Sequence, residues 1–169
     1  MINVLTAVIL ILFAAFSRIL PHPANFTPIA AIALFSGAYL DKKYLYIVPI
    51  AAMLLSDLIL GFHNTMVWVY GSFVLIAFIG MWLKSRKRIG YIAGTTLVSS
   101  VLFFVITNFG MWTTGYYGMT WNGLIECYTM AIPFFRNTLA GDVVYVALMF
   151  CAYELIMKYA KTRETVKAK

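Results

Sequence analysis

The sequence predicts an all-α integral membrane protein, built as a single bundle of six transmembrane helices. Of its 169 residues, 63% are hydrophobic and only 11% are charged, and the mean hydropathy is +0.87. Soluble domains are about 45–50% apolar and about 25% charged, so a water-soluble fold of this size could not bury so much apolar surface. At roughly 20 residues per crossing, the length allows five or six helices and leaves no room for a soluble domain.

Six apolar segments support this count, and polar or helix-breaking residues separate them. The predicted segments cover residues 2–20, 28–40, 44–62, 66–83, 89–112 and 123–157. Pro21 and Pro23 end the first segment, because proline cannot continue a helix. The charged triplet at 41–43 separates the second segment from the third, and His63 and Asn64 lead into the fourth.

The last two segments are bounded by a basic run over residues 84–88 and by a polar, glycine-rich stretch over residues 113–122. The apolar region that follows this stretch is too long for one straight span. We expect Pro133 to divide it into an outer approach segment and a true crossing.

The second segment is short for a crossing. Its 13 residues rise only about 20 Å as a helix, against a hydrocarbon core of about 30 Å. If the helix also includes residues 25–27, it becomes longer, which favours six crossings with both termini inside. If the segment is instead re-entrant, the later loops keep their sides and only the N-terminus moves outside.

The basic residues predict the orientation, because positively charged loops stay on the cytoplasmic side. Eleven of the thirteen Lys and Arg residues fall in two loops and the C-terminal tail, and the other two fall elsewhere. The eleven are Lys42, Lys43, Lys84, Arg86, Lys87, Arg88, Lys158, Lys161, Arg163, Lys167 and Lys169. We therefore expect one transmembrane domain over residues 1–157 and a basic cytoplasmic tail over residues 158–169. The net charge of +7 reflects this topology and does not point to a nucleic-acid partner.

The opposite, external face is rich in aromatic rings and amides. Aromatic faces with a few amides and one acid suit a flat, partly polar organic ligand. The candidate ligand-binding residues are His22, Asn25, Phe26, Asp57, His63, Asn108, Trp112, Tyr116, Trp121, Glu126, Tyr128, Arg136 and Asn137. We expect Trp112, Trp121 and Tyr128 to stack on the ligand. The alternative is an interfacial aromatic belt, which needs no ligand.

Four ionisable residues fall within the predicted spans, where charge is costly and often functional. Arg18, Asp57, Arg136 and Asp142 are all biased to the external half. Asp57 or Arg136 would set the charge preference of a ligand, and Asp142 shares a polar stripe with Thr138. The alternative is structural, with Arg18 paired to Asp57 and Arg136 paired to Asp142.

Catalytic and metal-binding patterns are missing from the sequence. The chain contains no GxSxG, HExxH or CxxC motif and no glycine-rich phosphate loop, so we expect neither an enzyme nor a cofactor. His22 and His63 lack a Cys or His partner at metal-ligand spacing, so no metal site is expected from the residues alone.

Three stretches carry a family resemblance: FSRILPHPANFTPIAAIALFSGAYL, SDLILGFHNTMVWVYGSF and TNFGMWTTGYYGMTWNGLIECYTMAIPFFRNTLAGDVVY. They resemble an uncharacterised family of small bacterial six-helix membrane proteins, and this resemblance covers most of the chain. That family is more distantly similar to the substrate-binding S-components of energy-coupling-factor (ECF) vitamin transporters and to the solitary cobalamin transporters. The similarity to S-components and to cobalamin transporters rests on size, number of spans and sequence pattern, so it is an analogy at the level of the fold.

The resemblance implies an S-component-like bundle in the bacterial inner membrane, with external loops that close over a vitamin-sized ligand. It also implies an ECF energising module as a partner besides the ligand and the lipid bilayer. S-components dock to this module through an Ala-x-x-x-Ala face on the first helix. Ala7, Ala14 and Ala15 lack that spacing, whereas Ala33 and Gly37 in the second segment offer a related one.

The expected function is therefore a substrate-binding membrane transporter that imports a vitamin or a similar small organic molecule. If the ligand is a corrinoid, as the likeness to cobalamin transporters suggests, His63 or Cys127 would bind its cobalt. The main alternative is a non-transporting interaction or assembly protein with an outward aromatic surface. A third is an intramembrane enzyme.

Overall fold

The computed structural model describes the backbone of residues 2–167 and the side chains of residues 4–159. The described residues form six α-helices joined by short loops. They are α1 (Ile2–Ile19), α2 (Ile29–Tyr39), α3 (Tyr44–Leu60), α4 (Met66–Leu83), α5 (Ile89–Thr113) and α6 (Trp121–Lys167). The predicted all-α fold is therefore confirmed. Helix α6 reaches Lys167, so the predicted tail over 158–169 begins as a continuation of this helix, and residues 168 and 169 lie outside the described part.

Three of these helices are long and apolar enough to cross a membrane, namely α4, α5 and the part of α6 with described side chains. Helices α1, α2 and α3 are apolar but shorter. Helices as long and apolar as α4, α5 and α6 indicate a membrane protein, in agreement with the composition.

Helix α2 is the centre of the bundle, and each of the other five helices packs against it. Every residue from Ile29 to Ala38 is buried, so protein surrounds this helix on all sides. Its eleven residues span only about 16 Å. The predicted extension through residues 25–27 is wrong, because Asn25 has a left-handed φ of 64° that does not continue a right-handed helix.

Helices α2 and α4 touch backbone to backbone where two glycines meet. A Cβ added at Gly37 would lie 2.1 Å from the Ala77 carbonyl oxygen, and one at Gly80 would lie 2.1 Å from the Leu34 carbonyl oxygen. Only glycine allows such an approach. Gly37 and Ala33, one helical turn apart, are both buried within the bundle, whereas a docking face has to be exposed.

Helix α6 runs through Pro133 as one helix, so the predicted division at this residue is wrong. The reason is its packing against α5 on both sides of the proline. Before it, the Tyr128 hydroxyl donates to the Val105 carbonyl oxygen at 2.7 Å. After it, the Ser100 hydroxyl donates to the Asp142 carboxylate at 2.6 Å. These contacts keep α6 aligned although proline removes one backbone hydrogen bond.

The loops gather at two ends of the bundle, and consecutive helices run in opposite directions between them. We call one the histidine end, which comprises residues 20–28, 61–65 and 114–120. We call the other the basic end, which comprises residues 40–43 and 84–88 together with the last turns of α6.

Aromatic and charged side chains close the basic end. The Tyr39 hydroxyl donates to the Glu154 carboxylate at 2.7 Å, and the Tyr39 and Tyr153 ring centroids lie 4.2 Å apart. The Lys87 ammonium lies 3.9 Å from the centroid of the Tyr39 ring. Partial burial there lowers the pKa of Lys87, while the nearby Glu154 carboxylate acts in the opposite direction. The packing of α2 against α6 is thus completed at this end by a charged and aromatic cluster.

Candidate ligand-binding cavity

The loop between α1 and α2 lies across the histidine end and is held against α6. Asn137 donates from Nδ2 to the Ala24 carbonyl oxygen at 3.1 Å. The Phe26 ring centroid lies 5.6 Å from that of Tyr145. A Cβ added at Gly141 would come within 3.3 Å of the backbone of this same phenylalanine. Two predicted site residues, Asn137 and Phe26, therefore position the loop.

A cavity of about 360 Å³ lies at the histidine end, bordered by this loop. All six helices contribute to its walls, together with the α3–α4 loop. The lining residues are Arg18, His22, Asn25, Thr27, Ile29, Ala30, Met53, Leu60, His63, Val69, Phe73, Phe103, Thr138 and Asp142. Half of them are polar and half are apolar, a mixture that suits an organic molecule with both kinds of surface. Three predicted site residues, His22, Asn25 and His63, are among them.

The Asp57 carboxylate lies next to this cavity and accepts a hydrogen bond on each of its oxygens. Arg18 donates to Oδ1 at 2.6 Å and also to the Ser56 hydroxyl. Tyr70 donates to Oδ2 at 2.5 Å, and the His63 Nε2 atom lies 4.0 Å from the same oxygen. The predicted pairing of Arg18 with Asp57 is confirmed. This carboxylate joins α1, α3 and α4 and is not among the residues that line the cavity.

The Asp142 carboxylate does line the cavity, one helical turn after Thr138. It is 3% exposed and accepts a hydrogen bond from Ser100. Among the described side chains no ion pair joins it to Arg136, so the predicted pairing of these two residues is wrong. Residues six positions apart on a helix are rotated by about 240° from each other, which puts Arg136 on a different face, where it is exposed.

Three predicted site residues on α5 and α6, Asn108, Trp112 and Tyr128, are not among the residues that line the cavity. Tyr128 is bonded to α5, as described above, and Asn108 donates to the Phe104 carbonyl oxygen at 2.7 Å. The Cys127 thiol in turn donates to the Asn108 carbonyl oxygen at 3.4 Å. The Trp112 and Phe109 ring centroids lie 5.5 Å apart. Tyr128, Asn108 and Cys127 thus bond to backbone carbonyl groups of α5, whereas the buried Nε1 of Trp112 has no hydrogen-bond partner among the described residues.

The remaining candidates lie on the surface of the histidine end. Tyr116 and Trp121 are 75% and 80% exposed, and Glu126 and Arg136 are exposed as well. None of these four lines the cavity. Asn108 borders a smaller cavity of about 90 Å³, which shares Asn25, Phe103 and Thr138 with the larger one.

A corrinoid would need only one protein ligand on its cobalt, either His63 or Cys127, and such a ligand stays a prediction. His63 lines the cavity, whereas Cys127 bonds to α5. Across the described residues, no group of three or more His, Cys, Asp and Glu side chains is arranged to hold a metal ion.

The sequence prediction did not include the apolar walls of the cavity, which Met53, Val69, Phe73 and Phe103 provide. Each belongs to a continuous apolar segment, so nothing in the residue pattern marks it as lining a cavity. The sequence does identify Asp142 as an ionisable residue within a span. Its spacing of four residues from Thr138 indicates that both side chains share one face of the helix.

Fold and site together define a helical membrane protein with a ligand-sized cavity at one end of its bundle. The chain belongs to DUF6580, a family of unknown function, which matches residues 1–165. This confirms the predicted membership of an uncharacterised family; the more distant similarity to ECF S-components stays a prediction. Comparisons with curated proteins and with solved structures found no match.

Proposed function

We propose that this protein is a membrane transport protein that imports a small, partly polar organic molecule such as a vitamin. The observation that carries the proposal is the cavity at the histidine end. Its volume of about 360 Å³ is within the range of roughly 300–1,000 Å³ that is typical of ligand pockets. Since all six helices and two loops line it, a bound molecule would contact every element and bias their relative positions, as transport requires.

In this proposal all six helices cross a bacterial inner membrane, in the manner of an S-component-like bundle. Support comes from the contact of Arg18 with Asp57, because it brings the last turns of α1 and α3 together at the histidine end. With 18 and 17 residues, these two helices span about 25–27 Å. The short α2 does not count against six crossings, because it is buried in protein and exposes no backbone to lipid.

The basic end is cytoplasmic in this proposal, since it collects the basic loops. The C-terminus is then also cytoplasmic, and the cavity lies in the external half of the membrane. The cluster around Tyr39 and Glu154 closes the inner end of the bundle. An importer is closed on the inside while it takes up its ligand from the outside, before it releases the ligand to the inside.

The proposal does not depend on an ECF energising module. The small residues considered for its docking, Ala7, Ala14, Ala15 and Ala33, are buried within the bundle. Solitary transport and transport with a module are therefore separate arms of the test.

Native mass spectrometry of the gently purified protein tests ligand binding. We expect one small molecule to be retained per chain. Val69→Phe places a ring in the cavity and should abolish retention, whereas Val67→Phe, two residues earlier on α4 and 80% exposed in the wild type, should preserve it. Equal retention by both variants would show that the molecule binds elsewhere. A wild-type protein with no retained molecule would favour the interaction-protein alternative.

Uptake then separates transport from binding alone. The retained compound, once identified, is offered in labelled form to proteoliposomes that contain the wild-type protein, with and without a co-reconstituted ECF module. Accumulation inside the vesicles in either arm supports a transporter. Binding without accumulation in both arms would contradict transport.

A further inference from the structure

The charge of the cavity wall points to the class of ligand. Its described lining has one cation, Arg18, and one carboxylate, Asp142, together with two histidines. The Arg18 guanidinium is already paired with Asp57 at 2.6 Å, and these two charges cancel. Besides this pair, the formal charge in the described lining is that of the Asp142 carboxylate.

No described cation compensates the Asp142 carboxylate. Its oxygen Oδ2 accepts one hydrogen bond, from the Ser100 hydroxyl at 2.6 Å, and the described ion pairs do not include it. It is almost entirely withdrawn from the surface. A carboxylate buried in this way is costly to ionise, so its charged form is favoured when an opposite charge approaches it. The open side of Asp142 is the cavity, so an approaching positive charge would be part of the ligand.

The rest of the cavity suits an organic body rather than a bare metal ion. Phe73 and Phe103 stack with their ring centroids 5.0 Å apart, and both line the cavity beside Met53 and Val69. A metal ion needs several converging ligands, and no group of three or more His, Cys, Asp and Glu side chains among the described residues could hold one. An aromatic wall favours apolar groups and attracts cations to its face.

We infer that the ligand of this cavity is a small organic cation, whose positively charged nitrogen binds the Asp142 carboxylate and whose apolar or aromatic body packs against Phe73 and Phe103. This assignment rests on the proposed function, since it names the class of molecule that the transport site accepts. Asp142 is then the residue that determines charge specificity. Asp57, the acid that the sequence favoured for this role, is a positioning residue that holds Arg18.

Three probes of one shape and different charge test the inference on the purified full-length protein in detergent. Tryptamine is a cation, tryptophol is neutral and indole-3-acetate is an anion, and all three carry the same indole ring. We expect tryptamine to bind roughly tenfold more tightly than tryptophol, because a charge-assisted hydrogen bond distinguishes them, and indole-3-acetate to bind most weakly. Isothermal titration calorimetry and the shift in thermal unfolding measure the order.

Two variants assign this preference to the carboxylate. Asp142→Asn keeps an oxygen that can accept the Ser100 hydrogen bond but removes the charge, so it should bind tryptamine and tryptophol equally. Ser100→Ala removes the same hydrogen bond but keeps the charge, so it should retain the preference for tryptamine. If Asp142→Asn does not fold, the order of the three probes on the wild type still decides the inference.

The outcomes separate this inference from the proposed function. If tryptophol or indole-3-acetate binds as tightly as tryptamine, or if the retained natural compound is neutral or anionic, the cation assignment is wrong while ligand binding stands. The same holds if sodium chloride at equal concentration gives the full thermal shift, since the site would then take an inorganic cation. If no probe binds and no compound is retained, both the inference and the proposed function fail.

Discussion

At the residue scale, the Asp57 carboxylate connects three helices at the histidine end, through Arg18 at 2.6 Å and Tyr70 at 2.5 Å. Removing one partner of a buried ion pair leaves the other charge desolvated, which typically costs about 3–5 kcal/mol. We expect Asp57→Ala to lower the free energy of unfolding in detergent by about this amount. Chemical unfolding followed by tryptophan fluorescence measures the difference.

Two further variants show whether the effect belongs to the ion pair. Glu126→Gln alters an exposed carboxylate at the same end of the bundle and should leave stability within about 0.5 kcal/mol of the wild type. The double variant Arg18→Met with Asp57→Asn should lose less than the sum of its two single changes, because neither charge is left alone. Strictly additive losses would mean that the two side chains do not interact.

At the scale of elements, the approach of α2 to α4 depends on Gly37 and Gly80. A Cβ at Gly80 would overlap the Leu34 carbonyl group, and backbone on both sides cannot yield as a flexible side chain would. Gly80→Ala should therefore destabilise the protein by at least about 1–3 kcal/mol, the usual cost of overpacking. The midpoint of thermal unfolding in detergent reports the loss.

Gly71 provides the matched control on the same helix. A Cβ there meets nothing within 4 Å, and alanine favours a helix over glycine by about 1 kcal/mol. Gly71→Ala should therefore be neutral or slightly stabilising. If Gly80→Ala behaved like Gly71→Ala, the two helix backbones would not be in contact, and the central position of α2 would be wrong.

At the scale of the whole molecule, the distribution of basic residues predicts which end of the bundle faces the cytoplasm. Single cysteines at Ala24, Lys42, Ser85 and Thr114, in a background without the two native cysteines, test it in spheroplasts. With six crossings, an impermeant maleimide should label positions 24 and 114 directly. Positions 42 and 85 should react only after permeabilisation, because they lie at the basic end.

Each position in this experiment tests a different part of the topology. Stronger labelling of intact spheroplasts at position 85 than at position 114 would reverse the orientation of the whole bundle. Protection of position 24 together with labelling of position 114 would mean that the α1–α2 loop faces the cytoplasm. In that case α2 would be re-entrant and six crossings would be excluded.

The sequence by itself determined the helical class, the positions of the helices and the asymmetry of charge between the two ends. The predicted segment over 66–83 coincides with α4, because the residues that end this segment differ sharply in polarity from those within it. The ion pair between Arg18 and Asp57 could also be predicted from the sequence, since charges in apolar segments need opposite charges. These properties depend on residue type and spacing along the chain.

Only the tertiary structure decided how each helix is rotated and what it touches. It made Asp142 part of the cavity wall and Asp57 part of an ion pair beside it. It also turned Tyr128 toward α5 and kept α6 continuous through Pro133. In a membrane protein both the lipid-facing and the buried faces of a helix are apolar. Hydrophobic periodicity therefore does not reveal which face turns inward, and packing between helices settles it.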